Sequence, residues 1–284
     1  MPHSRNGVYP NKYQVLSEDG ERVLCRAWSL GNGDTRESAL VILPAAERPS
    51  RLSLDRLTHE FGLKDELDEA WAVRPRELVR DSGRAMLVLE DPGGEPLDPL
   101  LGAPMAVGHL LRLAIGIAVA LGKLHERGLV HKDIKPTNIL VNSATGEVRL
   151  TGFGIASRLS RERQAIEPPE ALAGTLAYMA PEQTGRMNRS IDSRSDLYAL
   201  GVTFYQMLTG VLPFAAADPM ELVHCHLARR PVAARRPREG DPKRRLGDHH
   251  ETARQDFRGP LSDRRRARER PSEMPDRMGG AAAD

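Results

Sequence analysis

Residues 129 to 141 read Leu-Val-His-Lys-Asp-Ile-Lys-Pro-Thr-Asn-Ile-Leu-Val, a mostly polar loop set between two apolar stretches. Ile139, Leu140 and Val141 read as a short strand carrying the loop, and residues 107–127 upstream read as a long apolar helix. Outward from that anchor, residues 194–209 and 219–229 show two further helical patterns. Toward the N-terminus the period changes. Residues 12–16, 22–28 and 38–43 are strand-like runs parted by turn signals at Asp19-Gly20 and Gly31-Asn32-Gly33-Asp34. Residues 52–70 read as a helix, with Leu54, Leu57, Phe61 and Leu63 or Leu67 at helical spacing, and residues 72–79 and 85–89 read as two more strands. Glu90-Asp91-Pro92-Gly93-Gly94 breaks the pattern where a hinge belongs. The layout is α+β and bilobal: a small sheet carrying one helix, a larger helical lobe, and a cleft between them.

Composition agrees with one large domain or two lobes. The 284 residues are 40% hydrophobic and 28% charged, which excludes wholesale disorder. With 5 Phe, 5 Tyr and 2 Trp, the core has to come mainly from Leu, Val, Ile and Ala. Cys25 and Cys225 are isolated, without the spacing of a zinc site or a disulfide framework. The longest apolar stretch, 110–121, is interrupted by Arg112 and is too short to cross a bilayer, and the first residues carry no apolar signal region. The expectation is a cytoplasmic chain without a membrane partner.

The loop at 129–141 resembles the catalytic loop of protein kinases, in which His-Arg-Asp is followed five residues later by Asn; here these are His131, Asp133 and Asn138. The resemblance implies that Asp133 accepts the proton of an attacking hydroxyl and that Asn138 holds a magnesium ion against the phosphates of ATP. It further implies that Lys135 meets the transferring phosphoryl group. A second motif follows in order: residues 174–182, Gly-Thr-Leu-Ala-Tyr-Met-Ala-Pro-Glu, resemble the end of a kinase activation segment, with Thr175 toward the catalytic Asp and Lys and Glu182 closing the motif. Asp196 then falls where a buried Asp braces the catalytic loop from the central helix of the large lobe. The resemblance covers roughly residues 12–230. It is similar in particular to the serine/threonine-kinase-like domain that opens large bacterial sensor proteins, where an ATPase module, a GAF domain and a histidine kinase follow. The implied division is a small lobe at 1–91 and a large lobe at 92–230. The implied activity is ATP- and magnesium-dependent phosphoryl transfer to protein hydroxyls in signal transduction.

Three departures run against that activity. The second metal-binding Asp of Asp-Phe-Gly is absent: Gly152, Phe153 and Gly154 follow Thr151, and Gly152 has no ligand to offer. The strand that should bear a phosphate-binding lysine reads Ala-Leu-Val-Ile-Leu-Pro over 39–44, although Glu60 occupies the place of that lysine's helical partner. The glycine-rich phosphate loop is reduced to Gly20. Arg22 or Arg26, pointing inward, is the available substitute for the lysine at the nucleotide site. One displaced phosphate-stabilising donor costs about 10²- to 10³-fold in rate, so three losses together favour a catalytically inactive member that senses nucleotide or binds a protein.

The last residues differ in kind. From Arg229 onward there are 15 Arg and one Lys against ten acids, leaving 25 basic and 29 acidic residues before them. The formal charge of +2 therefore belongs to a basic tail, 231–284, that lacks the family pattern. The Arg-rich run at 263–270 is interspersed with acids and has no aromatic residue, which argues against nucleic-acid binding. His249-His250-Glu251 and His224-Cys225-His226 each lack the second half of a metal site. Permitted codons for residues 248–256, read one nucleotide on, encode Ile-Ile-Met-Lys-Leu-Leu-Ala-Lys, the start of an amphipathic helix. The expectation is a tail read in a shifted frame and a large lobe truncated before its last helices, with Leu197, Val202 and Leu208 under-covered and Glu182 short of a cationic partner. Sequencing the DNA that encodes residues 228–284 checks this; codons that forbid the alternative translation would end the idea.

Overall fold

The computed structural model describes residues 13–30, 36–81, 84–158, 175–187 and 189–234. The turn at 31–35 and the tail from 235 onward lie outside the described residues. Five antiparallel strands build the small lobe: β1 (Tyr13–Glu18), β2 (Arg22–Leu30), β3 (Arg36–Pro44), β4 (Pro75–Asp81) and β5 (Arg84–Glu90), in the spatial order β1-β2-β3-β5-β4. Side chains two apart on a strand share a face. Leu40 and Ile42 on β3 therefore stand opposite Leu89 and Leu87 on β5 and enter one core with Leu16, Leu24 and Leu57. Leu140, from the large lobe, joins the same cluster and closes the cleft floor against it.

Helix α1 (Arg51–Gly62) starts at Ser50, whose hydroxyl accepts the backbone N–H of Ser53 at 3.1 Å. It stops at Gly62, eight residues short of the helix that the spacing predicts. The N–H groups of Glu66 and Leu67 both turn back to the carbonyl of Leu63, at 2.8 and 3.2 Å. The reason is a change of partners: Leu57 belongs to the small-lobe core, whereas Leu63 and Leu67 are buried in the core of the large lobe. The strand expected from residue 72 is delayed to Pro75 for a similar reason. Val73 donates to Leu150 at 2.8 Å and Leu150 donates to Trp71 at 2.9 Å, so this stretch pairs with the large lobe first.

The expected hinge carries no regular structure between β5 and β6 (Glu95–Pro96). Gly94, at φ +82°, is required there because a Cβ would stand 2.7 Å from the carbonyl oxygen of Val141. Beyond it lie α2 (Val107–Glu126), β7 (Leu129–Val130), β8 (Ile139–Val141), β9 (Val148–Leu150), β10 (Ser157–Arg158), α3 (Ser193–Thr209) and α4 (Pro219–Ala228). β8 sits between β6 and β9, and β10 pairs with β7. Helix α2 is long and apolar enough to cross a membrane by length and composition. Its inner face, Leu113, Ile117, Leu121 and Leu124, is the spine of the large-lobe core around Phe153 and Leu150.

The expected under-coverage of α3 is only partly found. Leu197 is 54% exposed and Leu208 is half-buried, but Val202 is buried. The Glu182 carboxylate accepts the Ser195 hydroxyl at 2.6 Å, a neutral partner where a cation is expected. On α4, His224 faces solvent while Cys225 and His226 are buried. His226 shares a 2.7 Å hydrogen bond with the Tyr198 hydroxyl, so the three residues do not converge on a common point.

Candidate active site

The loop between β7 and β8 is held by one buried carboxylate. Asp196, at the first turn of α3, accepts the N–H of His131 at 2.8 Å and of Lys132 at 2.7 Å, and its Oδ2 lies 2.9 Å from His125 Nε2. Lys132 sits at φ +68°, a conformation that costs a non-glycine residue of order 1–3 kcal/mol unless its surroundings enforce it. Asp196 provides that enforcement, and the Gln183 side chain adds a 2.7 Å bond to the Lys132 carbonyl. His131 packs against the Phe153 ring at 4.8 Å and lies 3.1 Å from the Thr151 carbonyl; burial holds its pKa below the usual imidazole range.

Loop geometry then gathers the residues singled out by the sequence. Asn138 donates to the Asp133 carbonyl at 2.7 Å and to its carboxylate at 2.8 Å. Lys135 lies 3.1 Å from Asp133 and donates to the Thr175 hydroxyl at 2.8 Å. The fifth member is one that sequence reasoning missed. Asp19, in the turn between β1 and β2, reaches across the cleft to Lys135 at 2.9 Å. Its other oxygen accepts the N–H groups of Glu21 and Arg22 at 3.2 and 3.1 Å, forming the turn that Gly20 completes at φ +88°. Burial opposes ionisation of Asp19, but the Lys135 and Arg22 cations outweigh it and hold its pKa at about 2.

Arg22 is the substitute that points inward. Its guanidinium donates to Asn138 Oδ1 and lies 3.8 Å from Glu60, whose own pKa burial pushes upward. Glu60 in turn accepts the N–H of Gly152 at 3.1 Å. Arg26 is turned elsewhere. It grips the interlobe segment through Asp91 at 2.7 Å, Glu95 at 3.0 Å and the Gly94 carbonyl at 2.6 Å, and does not reach Glu60. Gly152 stands at φ +85°, and a Cβ there would run into the Arg22 guanidinium and lie 2.9 Å from Asn138 Cγ. The missing side chain at 152 and the inward arginine thus occupy one and the same volume.

As placed, Lys135 and Asn138 are already engaged where the resemblance implies contacts to ATP and magnesium, while Asp133 Oδ1 is buried without a hydrogen-bond partner. The Asn138 oxygen faces a fixed cation, Gly152 supplies no ligand, and Lys135 is engaged by two carboxylates. Among the described residues no three His, Cys, Asp or Glu side chains cluster as a metal site. The space directly beneath the turn, lined by Ser17, Asp19, Arg22, Leu24, Ile42, Thr137 and Thr151, is about 10 Å³, the room of one water at most, and a larger space of about 50 Å³ lies beside it, lined by Arg22, Glu60, Asp133, Gly152 and Thr175 among others. Ile42 lines that space from β3, where a phosphate-binding lysine would be expected. The signal for Asp19 was present in the sequence, as the first residue of an Asp-Gly turn, but the turn chemistry uses one oxygen and leaves the other unassigned.

Two measurements test this arrangement. In a urea-unfolding cycle, Gly152→Asp costs about 3 kcal/mol through strain and collision, and Arg22→Ala costs a similar amount by leaving Glu60 and Asn138 without their partner. The double variant loses at least about 1 kcal/mol less than the two combined, and strict additivity would refute the shared volume. The Asp19 carboxyl titrates lower in the folded chain than in the unfolded one, so its contribution is intact above about pH 4 and is lost as pH falls through about 2. The stability advantage of the native chain over Asp19→Asn should fall by about 1 kcal/mol between about pH 5 and 3; an advantage independent of pH would count against the bridge.

Comparison with known proteins places this geometry. Residues 34–258 match the protein kinase domain family. Among curated relatives, the serine/threonine-protein kinase Pkn1 of Myxococcus xanthus is 41% identical over 134 residues, covering 46% of this chain and 19% of that protein. The serine/threonine-protein kinase pkn2 of the same organism is 32% identical over 217 residues, 75% of this chain and 25% of the relative. The serine/threonine-protein kinase PknB of Mycobacterium tuberculosis is 34% identical over 137 residues, 48% and 21% respectively. The chain therefore spans a quarter or less of the length of these relatives. With two lobes, a loop braced by Asp196 and a family match over most of its residues, this chain belongs to the protein kinase domain family and is related to bacterial serine/threonine kinases.

Proposed function

We propose that this domain is a pseudokinase: a kinase fold that has given up phosphoryl transfer and acts in bacterial signalling as a protein-interaction module. The observation that carries the reading is the pairing inside the cleft, in which Arg22 occupies Asn138 and Asp19 occupies Lys135. Stabilising the charge of a transferring phosphoryl group is nearly all that such an active site does. Lys135 and Asn138 are here engaged by the chain itself and serve to seat the β1–β2 turn, with Asp133 bonded to both. Thr175 ties the activation segment to Lys135, and Glu182 and Asp196 hold that segment and the loop to α3.

In this reading the domain works in the cytoplasm as one part of a larger signalling protein, with a protein as its partner rather than nucleic acid or a membrane.

A second reading is favoured by the 3.8 Å approach of Arg22 to Glu60, which supplies a cation where the family uses a strand lysine. Opening the turn would then leave weak Asp133-dependent transfer with magnesium on Asn138. One experiment separates the two. With millimolar ATP, with and without magnesium, the pseudokinase shows no thermal shift and no incorporation of radiolabelled γ-phosphate into itself or a general protein substrate. Incorporation abolished by Asp133→Asn would overturn it, and a magnesium-independent thermal shift would convert the module into a nucleotide sensor.

A further inference from the structure

We infer that residues 1–12, which lead into β1 and lie outside the described residues, cross the outer face of the small-lobe sheet and cover it. The inference is independent of the reading of the cleft. An antiparallel sheet with one face on a core ordinarily turns polar side chains outward on the other. Here the outer face is apolar. Cross-strand pairing sets Val15, Cys25, Val41 and Val88 in one row over β1, β2, β3 and β5, ending at Glu77 on β4. On either side of that row, Ala27 faces Ala39 and Val23 faces Leu43.

The row is buried as well as apolar. Cys25 is 1% exposed, Ala27 5% and Val41 7%. None of the three belongs to a hydrophobic core among the described residues. The small-lobe core lies on the other side of the sheet, where Leu40 and Ile42 meet Leu57 and where Arg80 donates to the Thr58 hydroxyl of α1. Neighbouring strands shield the flanks of an outward side chain but not its tip, so burial to this degree calls for a cover.

Residues 1–12, Met-Pro-His-Ser-Arg-Asn-Gly-Val-Tyr-Pro-Asn-Lys, suit that role in position, reach and charge. They join β1 at Tyr13, which stands on the same face opposite Ala27. From Tyr13 back to Arg5 is eight residues, about 26 Å when extended. The five strands span about 19 Å, so Val8 and Tyr9 come within reach of Cys25 and Val41. The segment has Arg5 and Lys12 and no acid. The outer face carries Glu18, Glu37, Glu77 and Glu90, against Arg84 opposite Asp81 and Arg76 at the bulge of β4. A cationic segment with an apolar middle thus meets an apolar face with an acidic rim. The tail from 235 departs from the large lobe beyond α4, away from this face.

Thiol labelling of the full chain reads the cover directly, with Cys225, 2% exposed in the large lobe, as internal reference. Val8→Asp with Tyr9→Asp should raise the rate at which iodoacetamide modifies Cys25 at least about tenfold and leave Cys225 unchanged. To identify the occupant, Gly7→Cys, Val8→Cys, Tyr9→Cys and Pro10→Cys are made one at a time. Oxidised glutathione should close a bridge to Cys25 within the chain from at least one of them, which requires Cα atoms within about 7 Å, and none from Leu261→Cys in the tail. An unchanged Cys25 rate, a rise shared by Cys225, or no bridge from positions 7–10 overturns the inference. So does a bridge formed only between two chains, which would assign the face to a second copy, or one formed only from Leu261→Cys, which would assign it to the tail.

Discussion

Everything in the cleft rests on the Asp196 carboxylate. It is fully desolvated at the start of α3 and accepts two consecutive backbone N–H groups, with His125 alongside. A carboxylate buried this deeply is tolerable only when hydrogen bonds replace its water, and an unmatched one would cost several kcal/mol. The arrangement works in both directions. The loop supplies the donors that keep the charge buried, and the charge forces Lys132 into the left-handed conformation that turns Asp133, Lys135 and Asn138 toward the small lobe. Without that turn, the three side chains would have no common centre for Asp19 and Arg22 to meet.

The centre they form is an ion network, not a single pair. Asp19, Glu21, Glu60 and Asp133 face Arg22, Arg56 and Lys135 across a few ångströms of poorly hydrated space. Such a network contributes less to net stability than its contacts suggest, because desolvation offsets much of the attraction. What it provides is a defined relation between lobes. A turn that carries both an acid and a base can satisfy a loop that carries both, and each remaining pairing would leave a buried charge alone.

Much of this was legible in the sequence, and the part that was not has a common cause. The two lobes, the strand Ile139–Val141 and the helix at Val107 follow from period and spacing, and the bracing role of Asp196 from the family resemblance. The sequence left Arg22 and Arg26 as equal candidates for an inward cation, and it is Arg22 that lies 3.8 Å from Glu60. The misplaced boundaries, at Gly62 and Pro75, lie where a continuous pattern switches from one core to the other. Periodicity records that a residue is apolar, not which neighbour it meets. Asp19 was overlooked for a related reason. Its local duty in the turn accounts for one oxygen, while the second has its nearest partner in Lys135, more than a hundred residues away. Val202 was expected to be open because helices beyond α4 were expected to be missing, but its neighbours within the described residues cover it.

Gly152 and Arg22 constrain one another. The glycine's backbone conformation disfavours any side chain, and the volume a side chain would need is filled by Arg22. A single substitution at 152 therefore meets a filled site, whereas a change at Arg22 alone strips Glu60 and Asn138 of their partner. The two positions behave as one unit spread over two distant segments of the chain, so a new side chain at 152 has room only when the arginine is shortened with it.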